Sequence, residues 1–172
     1  MPKLAVSTVA MLAVTMIGIG GPAAIASAGS TSRSSASPPP ARAAEQLRFM
    51  STKATSRKIS VIATGAFTVG GTARAGRDTD VLRFPGGTLR YRHVTRTFSA
   101  SFDSQTCLLT ETLTGRFTLG HGTGRYVGVR GSGKWALAIV AVTKKNRAGQ
   151  CTHVQAPATF QQLATANGTV TG

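Results

Sequence analysis

The stretch that decides the fold is Leu-Thr-Glu-Thr-Leu-Thr-Gly-Arg-Phe-Thr-Leu at residues 109–119. Leucine, glycine and phenylalanine alternate in it with threonine and arginine, so that successive side chains would point to opposite faces of an extended chain. Leu113, Phe117 and Leu119 would then face a core, and the threonines would face water. The stretch therefore predicts a β-strand that is buried on one side.

The same period of two continues on both sides of this stretch. Residues 89–97 place Leu89, Tyr91 and His93 on one face, and arginines alternate with them on the other. Further strand candidates are 135–142 and 158–165. Glycine-rich turn signals separate the candidates, at 70–71, 85–87, 120–124 and 146–149. Short strands with such turns predict an all-β sandwich or closed barrel.

The N-terminus has the three parts of a secretory signal peptide. Lys3 precedes an apolar run at residues 4–19, and Ala26-Ser27-Ala28 offers a cleavage site. A transmembrane anchor is the alternative, but the run is shorter than the roughly 20 residues that span a bilayer. We therefore predict a signal peptide at 1–28, an extracellular protein, and no membrane span in the mature chain.

The residues after the signal peptide predict a linker followed by one folded domain. Serine, alanine and proline dominate the first part of residues 29–57, including three consecutive prolines at 38–40, which favours disorder. Residues 41–50 are rich in helix-forming residues and could form a short helix. The strand pattern starts near residue 59, so we place the barrel domain at 58–172.

The chain contains two cysteines, Cys107 and Cys151. In an exported protein an even number of cysteines indicates a disulfide rather than a reactive thiol. We therefore predict that Cys107 and Cys151 are bonded to each other.

Basic residues greatly outnumber acidic residues. The predicted signal peptide contains one basic residue, Lys3. The mature chain therefore has 19 lysines and arginines against five acids, a net charge of +14. Such a chain attracts anionic polymers. Arg90, Arg92 and Arg96 would share one strand face, either as a phosphate-binding group or as a solvated face. Few aromatic residues accompany them, which argues against specific nucleic-acid binding, so we expect non-specific binding of anionic polymer.

A glycine-rich segment at residues 122–133 carries the most distinctive motif. Val127 stands where a dinucleotide-binding loop would need glycine, and no helix follows. The segment resembles the glycine motif of β-barrels of the allene oxide cyclase and dirigent type, through Gly122, Thr123, Gly124, Tyr126, Gly128, Val129 and Gly131. The mature region also resembles a family of uncharacterised secreted actinobacterial proteins, at 84–87, 122–133 and 160–162. The resemblance implies a single small antiparallel barrel of about eight strands with an apolar interior site.

Polar residues in the inward phase of the strands are the candidates for a ligand site. His93 and Glu111 lie among apolar neighbours, and Tyr91 and Trp135 could form aromatic walls. A buried His–Glu pair would orient the polar part of a ligand or transfer protons; a purely structural hydrogen-bonded pair is the alternative. No pattern indicates catalytic residues, a metal site or a cofactor.

These observations leave three functional hypotheses. We favour a non-catalytic secreted barrel that binds a small apolar ligand or a cell-surface component. An isomerase or cyclase similar to allene oxide cyclase is the second hypothesis. The third is a cationic surface protein that binds polyanions.

Overall fold

A computed structural model of the chain describes residues 41–152 and 155–172. The predicted signal peptide, the first part of the predicted linker and His153 lie outside these residues. The elements that the structure describes are ten strands and one short 3-10 helix, η1, with these bounds: β1 Ala43–Ser51, β2 Lys58–Gly65, β3 Val69–Arg74, β4 Thr79–Phe84, β5 Gly87–Asp103, β6 Leu108–Gly120, η1 Gly124–Tyr126, β7 Arg130–Val142, β8 Lys144–Lys145, β9 Cys151–Thr152 and β10 Thr159–Thr171.

Eight of these strands form a closed antiparallel barrel in the order β1-β10-β7-β6-β5-β4-β3-β2. Each barrel strand pairs with the next barrel strand in the chain, and β10 pairs with β1 to close the ring. The remaining strands, β8 and β9, lie in the chain segment that connects β7 to β10 and form a small separate sheet. The prediction of a single antiparallel eight-stranded barrel is confirmed.

The expected start of the barrel at residue 58 and the expected short helix at 41–50 are wrong. Residues 43–51 form the barrel strand β1, which is paired with β10 on one side and β2 on the other. Glu45, Leu47 and Phe49 are buried, whereas Arg48 and Met50 are exposed, as period-two alternation requires. Pairing on both sides and burial of this face override the helix propensity of the segment.

Apolar side chains fill the middle of the barrel. Leu47, Val61, Leu82 and Leu89 are fully buried there, each from a different strand. At the end that carries η1, Tyr126 packs against Phe67 and Phe84, with ring centroids 5.6 Å apart in both cases. This end is therefore filled by aromatic side chains.

Four strands continue beyond the other end of the barrel. β5 has 17 residues and β6, β7 and β10 have 13 each, whereas β1 to β4 have six to nine. We call residues 97–103, 108–114, 136–142 and 159–165 the extended sheet. Its inner face continues the inward side of the barrel and is mainly apolar, with Phe98, Phe102, Leu109, Leu113, Leu137, Ile139 and Phe160 on it.

The extended sheet is shaped by a bulge and held by a disulfide. The register of β5 against β6 shifts between Thr95 and Thr97, so Arg96 has no partner on β6. Cys107 precedes β6 and is bonded to Cys151 of β9, with the two Cα atoms 5.3 Å apart. The Cys107 carbonyl also accepts the backbone N–H of Thr143 at 2.9 Å. The predicted disulfide is confirmed.

Candidate functional site

The strongest candidate site is the open end of the barrel, where the closed ring gives way to the extended sheet. A cavity of about 260 Å³ lies here, and we call it the mouth. Its walls combine aromatic and aliphatic side chains with a few polar ones: Phe49, Ile59, Ala75, Gly76, Arg77, Asp80, Tyr91, His93, Thr95, Leu113, Trp135, Leu137, Gln162 and Ala164. An apolar cavity with few polar groups is typical of a small-molecule site.

A histidine–aspartate pair provides the main polar group of the mouth. His93 Nε2 on β5 lies 3.6 Å from Asp80 Oδ1 on β4. Asp80 is buried, and its Oδ1 also accepts the backbone N–H of Gly76 at 2.9 Å. The backbone N–H of His93 donates to the Asp78 carbonyl at 3.0 Å. These contacts position His93, and its side chain remains 21% exposed at the cavity.

Tyr91 forms the floor beside this pair. Its ring stacks on Phe117 and is tilted against Phe49, at 5.2 Å between centroids in both cases. Burial raises the pKa of the Tyr91 phenol, and the negative charge of Asp80 raises it further. Tyr91 is therefore a neutral hydroxyl over the whole physiological pH range, able to donate or accept a hydrogen bond.

Trp135 forms the opposite wall and is held by the backbone of β5. Its indole Nε1 donates to the Val94 carbonyl at 3.3 Å, and its ring meets His93 edge-on at 5.4 Å between centroids. Gly115 on β6 lies next to this hydrogen bond, because a Cβ at this position would clash with the Val94 carbonyl oxygen and come within 2.6 Å of Nε1. The glycine therefore makes room for the tryptophan.

Glu111 lies apart from the other three predicted site residues. His93 pairs with Phe117 on β6, and Glu111 is six residues away along the same strand, about 20 Å at the rise of an extended chain. Glu111 instead pairs with Ala100 and Ile139 on the inner face of the extended sheet. The structure thus brings together Tyr91, His93 and Trp135, and the carboxylate beside His93 is that of Asp80.

Asp80 was not among the residues predicted for the site. A signal was present, because Asp80 alternates with Leu82 and Phe84 in Thr-Asp-Val-Leu-Arg-Phe and therefore shares their buried face. A carboxylate in the core phase of a strand requires a partner, since burial of an unpaired charge is costly. His93 was already assigned to the same face of its own strand, but the pairing of β4 with β5 was needed to join the two.

Comparisons with protein-family models, with curated proteins and with solved structures gave no match. The similarity to barrels of the allene oxide cyclase and dirigent type therefore stays a prediction. Among the residues that the structure describes, no helix could cross a membrane, and no group of three or more His, Cys, Asp or Glu side chains could hold a metal ion.

Proposed function

We propose that this protein is a secreted, non-catalytic barrel that binds a small, mainly apolar ligand with one polar end. The polar end would contact His93 and Asp80 in the mouth, and the apolar part would lie on the inner face of the extended sheet. The N-terminal sequence and the Cys107–Cys151 disulfide support secretion.

The observation that carries this proposal is the continuity of the mouth with the inner face. Leu113 and Leu137 line the mouth and also belong to the extended sheet. Phe98, the cross-strand partner of Leu113, is 62% exposed, and Phe102 farther along β5 is 39% exposed. Exposed aromatic side chains on one face of a sheet, next to a cavity, mark a surface that binds apolar partners. A ligand with an apolar chain would cover this face.

The chemistry of the polar residues defines the polar end. His93 offers a nitrogen that can donate or accept, and the Asp80 carboxylate accepts. Arg77 and Gln162 supply further donors at the rim. A hydroxyl or carbonyl group of a ligand can form hydrogen bonds with these side chains. A plain hydrocarbon would offer no hydrogen bond to His93 and Asp80. We therefore expect a preference for hydroxyl- or carbonyl-bearing ligands.

Trp135 makes this proposal testable, because it is the single tryptophan of the chain and lies in the mouth wall. We expect titration with decanol to change the Trp135 emission saturably. Decyl methyl ether, which has no hydroxyl donor, should bind more weakly. Substitution His93→Phe should remove the difference between the two probes. Absence of any emission change with either probe would refute ligand binding at the mouth.

A matched pair of substitutions on β7 separates the inner face from the outer face. Leu137 points into the mouth, and Ala138 is exposed on the opposite face of the strand. Leu137→Gln should weaken decanol binding about tenfold or more, because it removes apolar contact area. Ala138→Gln should leave binding unchanged. Equal effects of both variants would contradict the assignment of the site.

Proton transfer on the bound ligand is a second candidate function. The His93–Asp80 pair favours it, because a histidine oriented by a buried carboxylate is suited to act as a general acid or base. This would make the protein an isomerase or cyclase. Chemical analysis of the ligand recovered after incubation distinguishes the two functions: an unchanged ligand supports binding alone.

A further inference from the structure

A second cavity lies on the outside of the barrel, separate from the mouth. Its volume is about 650 Å³, and it lies between the outer face of β4 to β7 and the loop that carries the glycine motif. We call it the arginine groove. Its walls are formed by Thr79, Arg90, Arg92, Thr118, Leu119, Gly120, His121, Gly122, Gly128, Val129 and Arg130.

Strand register places three arginines around one open floor. Arg90 pairs with Gly120 on β6, and Arg92 pairs with Thr118 on one side and Thr79 on the other. Arg130 begins β7, next to Gly131, which is the partner of Leu119. Gly120 has no side chain, and a Cβ built there would meet nothing within 4 Å. The groove thus exists because glycine occupies the position between Arg90 and Arg130.

The positive charge of this groove is not neutralised within the described part of the chain. Arg90, Arg92 and Arg130 are all exposed and form no ion pair, and Asp78, which precedes Thr79, pairs with none of them. Three guanidinium groups around one cavity repel one another. An anion bound between them would relieve this repulsion and accept hydrogen bonds from them.

We propose that the arginine groove binds a phosphate or diphosphate group. The planar guanidinium donates two parallel hydrogen bonds to phosphate oxygens, a geometry that makes arginine the preferred phosphate ligand among cationic side chains. The Thr79 and Thr118 hydroxyls can add hydrogen bonds beside Arg92. The volume exceeds that of a single phosphate and fits a phosphorylated small molecule or the terminal group of a larger one.

This site differs from the strand face that the sequence indicated. Arg96, the third arginine of that face, is the bulge residue and does not line the groove. Arg130, at the start of β7, lines the groove as the third arginine. The proposal is therefore a defined groove, in contrast to the diffuse charge effect expected from the sequence.

The test is calorimetric titration of the full mature protein with inorganic pyrophosphate in 0.15 M NaCl. The groove variant is Arg90→Ser, Arg92→Ser, Arg130→Ser. Its matched control removes three exposed arginines elsewhere: Arg57→Ser, Arg74→Ser, Arg147→Ser. Because each arginine–phosphate contact corresponds to about a tenfold change in affinity, we expect a loss of about 100-fold or more in the groove variant. The control should lose less than about threefold, since only long-range charge is removed.

A third variant leaves the charge unchanged. Gly120→Val would place a side chain over the floor of the groove, at a position where an added Cβ meets no atom within 4 Å. We expect this variant to bind pyrophosphate at least about tenfold more weakly, because the anion can no longer approach the arginines. Circular dichroism and thiol quantification would show that all three variants retain the barrel and the disulfide.

A second arm identifies the source of the phosphate. Phosphatidylcholine vesicles with 25% phosphatidylglycerol present the same group as a lipid headgroup. Loss of pyrophosphate or vesicle binding in the groove variant and in Gly120→Val, with retention in the control, supports the groove. Equal losses in the two arginine variants, unchanged binding in Gly120→Val, or no binding of either probe would overturn it.

Discussion

At the scale of single residues, Glu45 is a buried carboxyl group with incomplete hydrogen bonding. Its side chain points into the barrel from β1 and is 4% exposed. Oε2 accepts the backbone N–H of Phe67 at 3.2 Å, whereas Oε1 has no hydrogen-bond partner. Burial raises the pKa of the Glu45 carboxyl, and hydrogen bonds from the backbone of Phe67 and its neighbours offset part of this effect. The ionised form is therefore disfavoured in the fold.

This arrangement predicts a pH-dependent contribution to stability. Because the folded-state pKa is raised, the folded protein holds the Glu45 proton more tightly than the unfolded chain, and this stabilisation is lost as pH rises through the folded-state value. Glu45→Gln should remove that loss. Relative to the wild type, its free energy of unfolding should therefore rise between pH 4 and pH 8.

Urea denaturation at pH 4, 6 and 8 measures this difference, with Glu111→Gln as the control on the partly exposed inner face. A difference between Glu45→Gln and the wild type that stays constant across the pH range would contradict the prediction.

The candidate site shows how far sequence patterns extend at the residue scale. Alternation alone assigned Tyr91, His93 and Trp135 to the inward face, and all three line the mouth. The same alternation assigned Glu111 to that face but could not predict its position along the barrel axis relative to His93. This position depends on the register between strands, which is a property of the paired sheet. The Asp80–His93 contact could not be predicted from the sequence for the same reason.

At the scale of elements, the disulfide holds the far end of the extended sheet. It joins the turn between β5 and β6 to the small β8–β9 sheet and closes a loop with a sequence separation of 44 residues. In the chain-entropy model such a loop contributes about 4 kcal/mol to stability. The inner face that we assign to ligand binding lies on β5, β6, β7 and β10, which lead into the turn and the small sheet that this bond connects.

Cys107→Ser with Cys151→Ser should therefore lower the free energy of unfolding by about 4 kcal/mol. It should also weaken decanol binding, because the extended sheet loses its covalent brace. Urea denaturation measures the first effect and titration with decanol measures the second, both followed by Trp135 emission. Reduction of the wild type with dithiothreitol should reproduce the variant. A loss below about 1 kcal/mol would show that hydrogen bonds alone hold this end.

The strand β1 shows why local propensity can mislead at this scale. Alanine, glutamate, glutamine, leucine and arginine in residues 43–48 favour a helix in isolation. The alternation of Glu45, Leu47 and Phe49 was also present, and it agrees with the observed strand. What decides between the two is pairing with β2 and β10, and the partner β10 begins more than 100 residues later in the chain.

At the scale of the whole molecule, almost none of the charged side chains that the structure describes has a partner of opposite charge. Within the residues that the structure describes, the one close contact between a basic and an acidic side chain is that of His93 with Asp80 at 3.6 Å, which lies inside the mouth. Buried Glu45 and Asp80 cannot neutralise the outer surface. The lysines and arginines on the outside therefore repel one another across the barrel, and this repulsion destabilises the compact state.

Salt should relieve the repulsion by screening. Raising NaCl from 0.02 to 0.3 M should increase the melting temperature by about 2–4 °C, corresponding to roughly 1 kcal/mol for a domain of this size. Scanning calorimetry measures the shift. The variant lacking Arg57, Arg74 and Arg147 should show a smaller rise. A melting temperature that is independent of salt would mean that the charges are too far apart to interact.

Closure of the ring by β1 and β10 has a consequence for how the chain folds. Seven of the eight barrel pairings join consecutive strands of the barrel, whereas the eighth brings Ala43 opposite Val170. Loop-closure entropy must be overcome before this contact forms, so we place it late in folding. Until then β1 and β10 each expose an unpaired edge that another molecule can extend. The pairing of the first barrel strand with the last thus protects both edges from aggregation.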